Sequence, residues 1–359
     1  MPLDKPAPDS HGKRSSSRLD ISVSPGNAHD FDLWRHGLSP LYEMDTPEPA
    51  ARASYAAEMT SYFVADMGIA EGSASAAHFN RTPLTIARGG LDNICVLLYS
   101  QGGCRLDTEG RSTEVHAGDV CFLDMTRQSE LRASYYQTLS VVLPRALLAP
   151  LVADLDGLHG RIMQKSTSLN TMLASHLRTL FDEAPVLTSK DAGAAAHGTA
   201  ALVAAFAGAS GKGREAIEQA SANASLQSAR RLIEAQLHEP DLGPELVCQR
   251  LGMSRAKLYR LFEPIGGVGE YIQQRRLSRA YQALTDPAQA NLYIGVIATQ
   301  CGFGSASVFS RAFRNAFGIS PTDLRANQTR TDADETGLSG ENAFATMRRQ
   351  LLGMGSRQW

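Results

Sequence analysis

One segment of this chain occurs twice, and that repeat constrains the fold more than any other feature. Residues Val247–Phe262 and Ile297–Phe313 align almost residue for residue, with Gly304 the one extra position in the second copy. Each copy runs through a helix-forming stretch, a glycine, an apolar residue, a serine and a second helix-forming stretch. Gly252 and Gly302 stand where a helix ends and the chain can need positive φ, which costs glycine least. Ser254 and Ser305 fall at helix N-caps, where a hydroxyl satisfies an orphan N–H of the next helix. Met253 just before the cap, and Phe303 one residue further back, suit a hydrophobic staple. Leu258 with Phe262, and Phe309 with Phe313, are spaced i, i+4 and predict the buried face of the second helix. The opposite face carries Arg255, Ala256, Tyr259 and Arg260 in one copy, and Ala306, Ser307, Ser310, Arg311 and Arg314 in the other.

A tight turn, a packed inner face and a polar, basic outer face describe a helix-turn-helix that can enter a major groove. A single copy is equally consistent with a helical hairpin whose outer face is merely solvated. Two aligned copies, joined by one helix predicted over Gly269–Leu284, favour the DNA-binding form. Charge points the same way. Residues 225–330 hold 13 Lys and Arg against 8 Asp and Glu, a net of +5, which leaves −7 for the rest of a chain whose overall charge is −2. A basic region on an acidic body is the electrostatic outline of a polyanion-binding module.

The 359 residues exceed one ordinary domain, and 43% hydrophobic residues suffice for a core in each of two. Residues 1–30 read as a polar, disordered tail. Mixed short helical signals fill Phe31 to Ala70. Between residues 83 and 143 the pattern turns strand-like, with runs at Pro83–Arg88, Ile94–Ser100, Cys104–Thr108, Ser112–His116, Val120–Asp124, Glu130–Tyr135 and Thr138–Leu143 separated by glycine-bearing breaks. Close spacing of short strands suggests a small antiparallel barrel or sandwich. From Pro144 the chain becomes helical, with a leucine stripe over Leu169, Leu173, Leu177 and Leu180 and an Ala-rich helix over Gly193–Phe206. The domain reading is therefore a tail over 1–30, a β-rich domain with a terminal helix pair over 31–208, a linker over 209–224, a double helix-turn-helix over 225–326 and a polar tail with one short helix over 327–359. The fold class is α+β with two domains.

The second copy, together with the residues just beyond it, resembles the AraC/XylS family of bacterial transcription regulators. The family pattern I-A-x-x-x-G-F-x-S-x-S-x-F-x-R-x-F-x-x-x-x-G-x-S-P-x-x-x-R is met by Ile297-Ala298, Gly302-Phe303, Ser305, Ser307, Phe309, Arg311, Phe313, Gly318, Ser320-Pro321 and Arg325. The first copy departs modestly: Cys248 replaces a small Ala, and Gly267-Val268 stands where Ser-Pro is usual. The resemblance implies two DNA-reading helices on one chain. By position it makes Arg255, Ala256, Tyr259, Arg260, Ala306, Ser307, Ser310 and Arg311 the candidates for base contact. Lys257, Arg275, Arg276 and Arg314 read better as phosphate or packing residues, and Arg260 and Arg311 can be partly structural. The strand region ending in Val115-His116-Ala117-Gly118-Asp119-Val120 resembles the cupin-type half of the subgroup with an AraC-binding-like domain. That subgroup implies a small-molecule effector, a homodimer, promoter DNA, RNA polymerase as a partner and, more often than not, activation.

Other chemistry finds little support. The apolar stretches are shorter than the roughly 20 residues a membrane span needs, and the first 30 residues lack the apolar segment of a secretory signal, so the expected compartment is the cytoplasm. Cys95, Cys104, Cys121, Cys248 and Cys301 form no C-x-x-C pair. Glu114 and His116 are the nearest approach to a cupin metal set, with no H-x-H, and neither a G-x-S-x-G elbow nor a phosphate-binding loop occurs. No metal, cofactor or catalytic residue is expected. The rival readings are a constitutive DNA binder whose barrel only dimerises and, behind it, a cupin-type enzyme tethered to DNA.

Overall fold

Alternating residues along Leu19, Ile21 and Val23 open the described part of the molecule as a strand rather than a tail. The computed structural model describes residues 17–64, 66–152, 154–207, 214–326 and 343–356. The N-terminal domain begins with β1 (Ser17–Val23), α1 (Ala28–Leu38), β2 (Glu43–Asp45), β3 (Ala57–Val64), β4 (Met67–Ala74) and β5 (Ala77–Arg81). It continues with α2 (Pro83–Gly89), β6 (Asn93–Thr108), β7 (Arg111–His116), β8 (Val120–Asp124), β9 (Ser129–Pro144), α3 (Arg145–Leu148), β10 (Ile162–Met163), α4 (Ser168–Glu183) and α5 (Ser189–Ala207). The strands form one antiparallel 10-stranded sheet in the order β1-β3-β4-β9-β6-β8-β10, with β2 on β5, β5 on β9, and β7 on β6. Among the described residues its two ends do not pair, so the sheet folds over as a sandwich and does not close into a barrel.

β6 and β9 do the folding over. Each is 16 residues long. One half of β9 pairs with β4 and the other with β5, while β6 pairs first with β8 and then with β7. The bend lies at the register shifts between Tyr99 and Cys104, as β-bulges require. Gly102 sits there at φ +67, and a Cβ would overlap the Tyr135 carbonyl oxygen. The Gly102-Gly103 break therefore kinks one strand rather than separating two.

Both faces of β6 are buried. Ile94, Val96 and Leu98 face α4 and α5, where they meet Leu173, Leu177, Leu180, Ala196 and Val203. Cys95, Tyr99 and Cys104 face the interior with Phe31, Trp34, Leu131 and Cys121. Leu169, the first residue of the leucine stripe, is 40% exposed.

Several expectations are corrected. Residues 17–30 are β1 and the start of α1, while 1–16 lie outside the described residues. Residues 43–74 are mostly strand. Pro83–Arg88 is helical because Thr82 caps its N-terminus, Pro83 takes the first turn and Gly90 ends it at φ +59. Of the linker expected over 209–224, residues 214–224 are the start of α6 (Arg214–Gln236), and 208–213 lie outside the described residues.

The C-terminal domain continues with α7 (Pro244–Leu251), α8 (Arg255–Phe262), α9 (Val268–Thr285), α10 (Ile294–Gln300), α11 (Ala306–Phe317) and a helical turn over 321–326. It has two cores. Leu226, Ile233 and Leu237 of α6, Val247 of α7 and Leu258 and Phe262 of α8 close on Val268 and Ile272 of α9. Leu277, Tyr281 and Leu284, further along α9, join Ile297, Phe303, Phe309, Phe313 and Phe317 in the second core. One helix thus serves both units, and its 18 residues span about 27 Å. The last described helix covers Ala343–Ser356, and 327–342 and 357–359 lie outside the described residues.

Candidate nucleic-acid interface

The two turns share their two defining bonds. In the first, Gly252 ends α7 in the left-handed region and Met253 N–H donates to Cys248 O at 3.1 Å. In the second, Phe303 N–H donates to Ala298 O at 3.0 Å, the aligned pair. Ser254 Oγ then accepts from Lys257 N–H at 3.2 Å and Ser305 Oγ from Val308 N–H at 3.3 Å, starting α8 and α11. Gly302 is doubly constrained: its φ is +78, and a Cβ would overlap Leu237 O and crowd the Arg276 guanidinium.

The caps and the buried pairs fix which way each second helix faces. Leu258, Phe262, Phe309 and Phe313 are wholly buried. Arg255, Ala256, Tyr259 and Arg260 on α8, and Ala306, Ser307, Arg311 and Arg314 on α11, are exposed, while Lys257 and Ser310 are half-buried. Spacing i, i+4 brings 255 with 259 and 256 with 260 onto one face, and likewise 306 with 310 and 307 with 311. Arg255 is paired with Glu245 of α7 at 2.5 Å, both side chains being well exposed. That pair steers the guanidinium across the turn, and an exposed pair of this kind yields readily to a stronger anion.

Arg275 and Arg276 are packing residues. Arg275 donates to both carboxylate oxygens of Glu234 at 2.5 and 3.1 Å. Burial opposes the Arg275 charge, but Glu234 more than restores it and its pKa is raised. Arg276 caps the end of α6 through Leu237 O and Glu239 O at 3.1 and 2.5 Å.

Sequence reasoning missed Val308, which aligns with Lys257, is half exposed and stands on the first turn of α11. The alignment itself carried the signal: a basic residue in one copy faces an apolar one in the other. Such a methyl-bearing side chain suits a thymine methyl group.

The polar cluster of the N-terminal domain, Arg145 with Asp92, Asp124 and Asp156, is built of ion pairs rather than of ligand-binding groups. Glu114 and His116 point outward from β7 on either side of buried Val115. Burial pushes the Cys95 thiol up to about 12 and those of Cys104 and Cys301 to about 11, which leaves them as unreactive thiols. Among the described residues no three His, Cys, Asp or Glu side chains gather as a metal site, and no helix is long and apolar enough to cross a membrane.

A helix-turn-helix domain family matches residues 247–327, and an AraC-binding-like domain family matches residues 44–206. The multiple antibiotic resistance protein MarA of Escherichia coli (strain K12) is 32% identical over 114 residues, 31% of this chain and 80% of that one. This chain belongs to the AraC family. Like its relatives it is a DNA-binding transcriptional regulator, and it carries the family's N-terminal domain as well. The transcriptional activator NphR of a Rhodococcus species is 27% identical over 310 residues, covering 83% of this chain and 89% of that one. The crystal structure of the AraC-like transcriptional activator CuxR superposes with a TM-score of 0.52 at 26% identity, covering 74% of this chain and 95% of that one. Such likeness across both halves extends the AraC architecture beyond the repeat.

Proposed function

We propose that this AraC-family protein activates transcription as a homodimer on double-stranded promoter DNA in response to a small organic effector held by its N-terminal domain. One observation carries the reading: two similarly built turns present capped helices whose outer faces are polar, basic and exposed. In this reading Arg255, Ala256, Tyr259, Arg260, Ala306, Ser307, Ser310 and Arg311 meet base edges, and Lys257 and Arg314 meet phosphates. The likeness to NphR and CuxR, both activators, supports activation and hence a productive contact with RNA polymerase. The reading divides the chain into regulatory and DNA-binding halves near residues 208–213, gives the protein no catalysis or cofactor, and places it in the cytoplasm.

Footprinting on the DNA upstream of the genes it controls tests the assignment. Arg260→Ala and Arg311→Ala are each expected to lower affinity by roughly ten- to a hundredfold, the worth of a bidentate base contact, with the fold intact. Wild-type footprints from both would remove these two residues from the interface. A thermal-shift screen against metabolites tests the effector: no stabilisation by any of them, with promoter activation intact, would leave the N-terminal domain a dimerisation element alone. Stoichiometric iron, zinc or manganese in the purified protein would revive an enzymatic role.

A further inference from the structure

The N-terminal domain carries a groove for an amphipathic helix. Its floor is α1 and β1, and it is open enough to admit side chains because Gly37 stands at its centre. A Cβ on Gly37 would overlap the Met347 methyl group. The helix lying in the groove is the chain's own C-terminal one, Ala343–Ser356. Phe344, Met347, Leu351 and Met354 recur at the 3–4 residue spacing of one helical face. Met347 and Leu351 are buried in the same core as Phe31, Trp34 and Leu38. Met354 reaches Gly68 of β4, and Gln350 donates to Ser17 Oγ at 3.0 Å.

The helix in the groove also touches α2, and α2 packs on α9 and α11 of the second helix-turn-helix unit. Ala87 of α2 is wholly buried within that unit's own core. The Gln282 side chain on α9 donates to Ala87 O and, at 3.2 Å, to Arg88 O. The C-terminal domain is therefore joined to the N-terminal domain through the chain on one side and through a docked helix on the other.

We propose that the C-terminal helix is an intramolecular strap, seated in the α1/β1 groove, that holds α2 against the second helix-turn-helix unit. Releasing it frees that unit to reorient relative to the first. The strap is a property of the folded chain and needs neither DNA nor effector, so its test is independent of the proposed regulatory function.

The test is hydrogen exchange by mass spectrometry on the full-length Met347→Glu/Leu351→Glu variant. Exchange over 343–356 and 28–38 is expected to rise at least about tenfold, with a smaller rise over 83–89 and 268–285 and none over 93–108. Met347→Leu, which keeps the apolar volume, is expected to exchange like wild type; if it too releases 83–89, the glutamates act through general damage and the strap is refuted. Unchanged exchange at 83–89 and 268–285 in the double variant would refute it as well. Light scattering identifies the occupant: protection of 343–356 in the monomer supports the strap. Protection found only in a dimer, and lost on dilution, would overturn it in favour of a helix exchanged between copies.

Discussion

Asp124 is wholly buried, and burial alone would raise its carboxyl pKa. The Arg145 guanidinium beside it prevails and, with Thr126, holds it at about 2. Arg145 also reaches Asp92 at 2.9 Å and Asp156 at 3.5 Å, so it joins the end of β8 to the loop before β10. Asp124→Ala would leave that guanidinium underpaired in a buried site, and the expected loss is about 3–5 kcal/mol, read from urea unfolding of the full-length protein. His159 touches the same cluster. Its Nδ1 accepts from Asp124 N–H at 3.1 Å, so its Nε2–H donates to Gln128 O at 3.0 Å and the ring is neutral. Burial, reinforced by Arg127, lowers its pKa below the ordinary 6.5. Below that value the unfolded chain binds a proton the folded one resists, so this contribution is full above pH 6.5 and is lost as pH falls beneath it. The melting temperature is therefore expected to drop between pH 7 and pH 5, with a shallower slope in His159→Gln, whose amide can keep both hydrogen bonds. Equal slopes would exclude His159 as the titrating group.

At the scale of elements, the turn glycines make a graded pair. Gly252 has φ +62 with open space around its missing Cβ, whereas Gly302 has φ +78 and lies against Leu237 O. Gly252→Ala incurs the left-handed penalty alone, about 1–2 kcal/mol. Gly302→Ala adds a clash with backbone and must cost more; thermal unfolding of the two variants compares them directly, and equal costs would mean α6 yields freely. These turns were legible in the sequence because each of their determinants is local: a cap, a glycine and apolar pairs four residues apart. The strand domain was legible in kind but not in detail. Leu19, Ile21 and Val23 alternate as a strand should, yet they sit in polar surroundings and read as tail. Thr82, Pro83 and Gly90 spelled out a helix that the β-branched Thr85 and Ile86 concealed. Gly102-Gly103 looked like a turn because a bulge and a turn ask the same freedom of glycine. Nothing local announces that Ala87 completes another domain's core or that Met347 fills the space over Gly37.

Across the whole molecule the two domains meet in a seam bordered by charge. Asp156, in the N-terminal domain, pairs with Arg230 of α6 at 2.9 Å, and the pair is almost fully enclosed. Arg127 donates to Asp156 O at 2.9 Å and reaches Pro264 O, after α8, at 3.4 Å. Arg145 reaches the same carboxylate oxygen as Arg230, at 3.5 Å. Three guanidinium groups thus meet at one acidic residue, two at its carboxylate and Arg127 at its backbone carbonyl. Burial lowers the Arg127 pKa, Asp156 opposes that, and Arg230 and Arg145 lower it further. With α2 seated on the second unit and Asp156 bonded to α6 of the first, the N-terminal domain braces both halves of the DNA-binding domain at once. Asp156→Asn keeps the shape of the side chain and removes the charge that reconciles the arginines. A group so enclosed is poorly screened by salt, so its loss should be felt at physiological ionic strength. Calorimetry is expected to show one coupled unfolding transition in the wild type and two separated transitions in Asp156→Asn, because the brace through α2 alone couples the domains less strongly. A single transition at the wild-type temperature would instead assign the bracing to α2 and its apolar contacts alone.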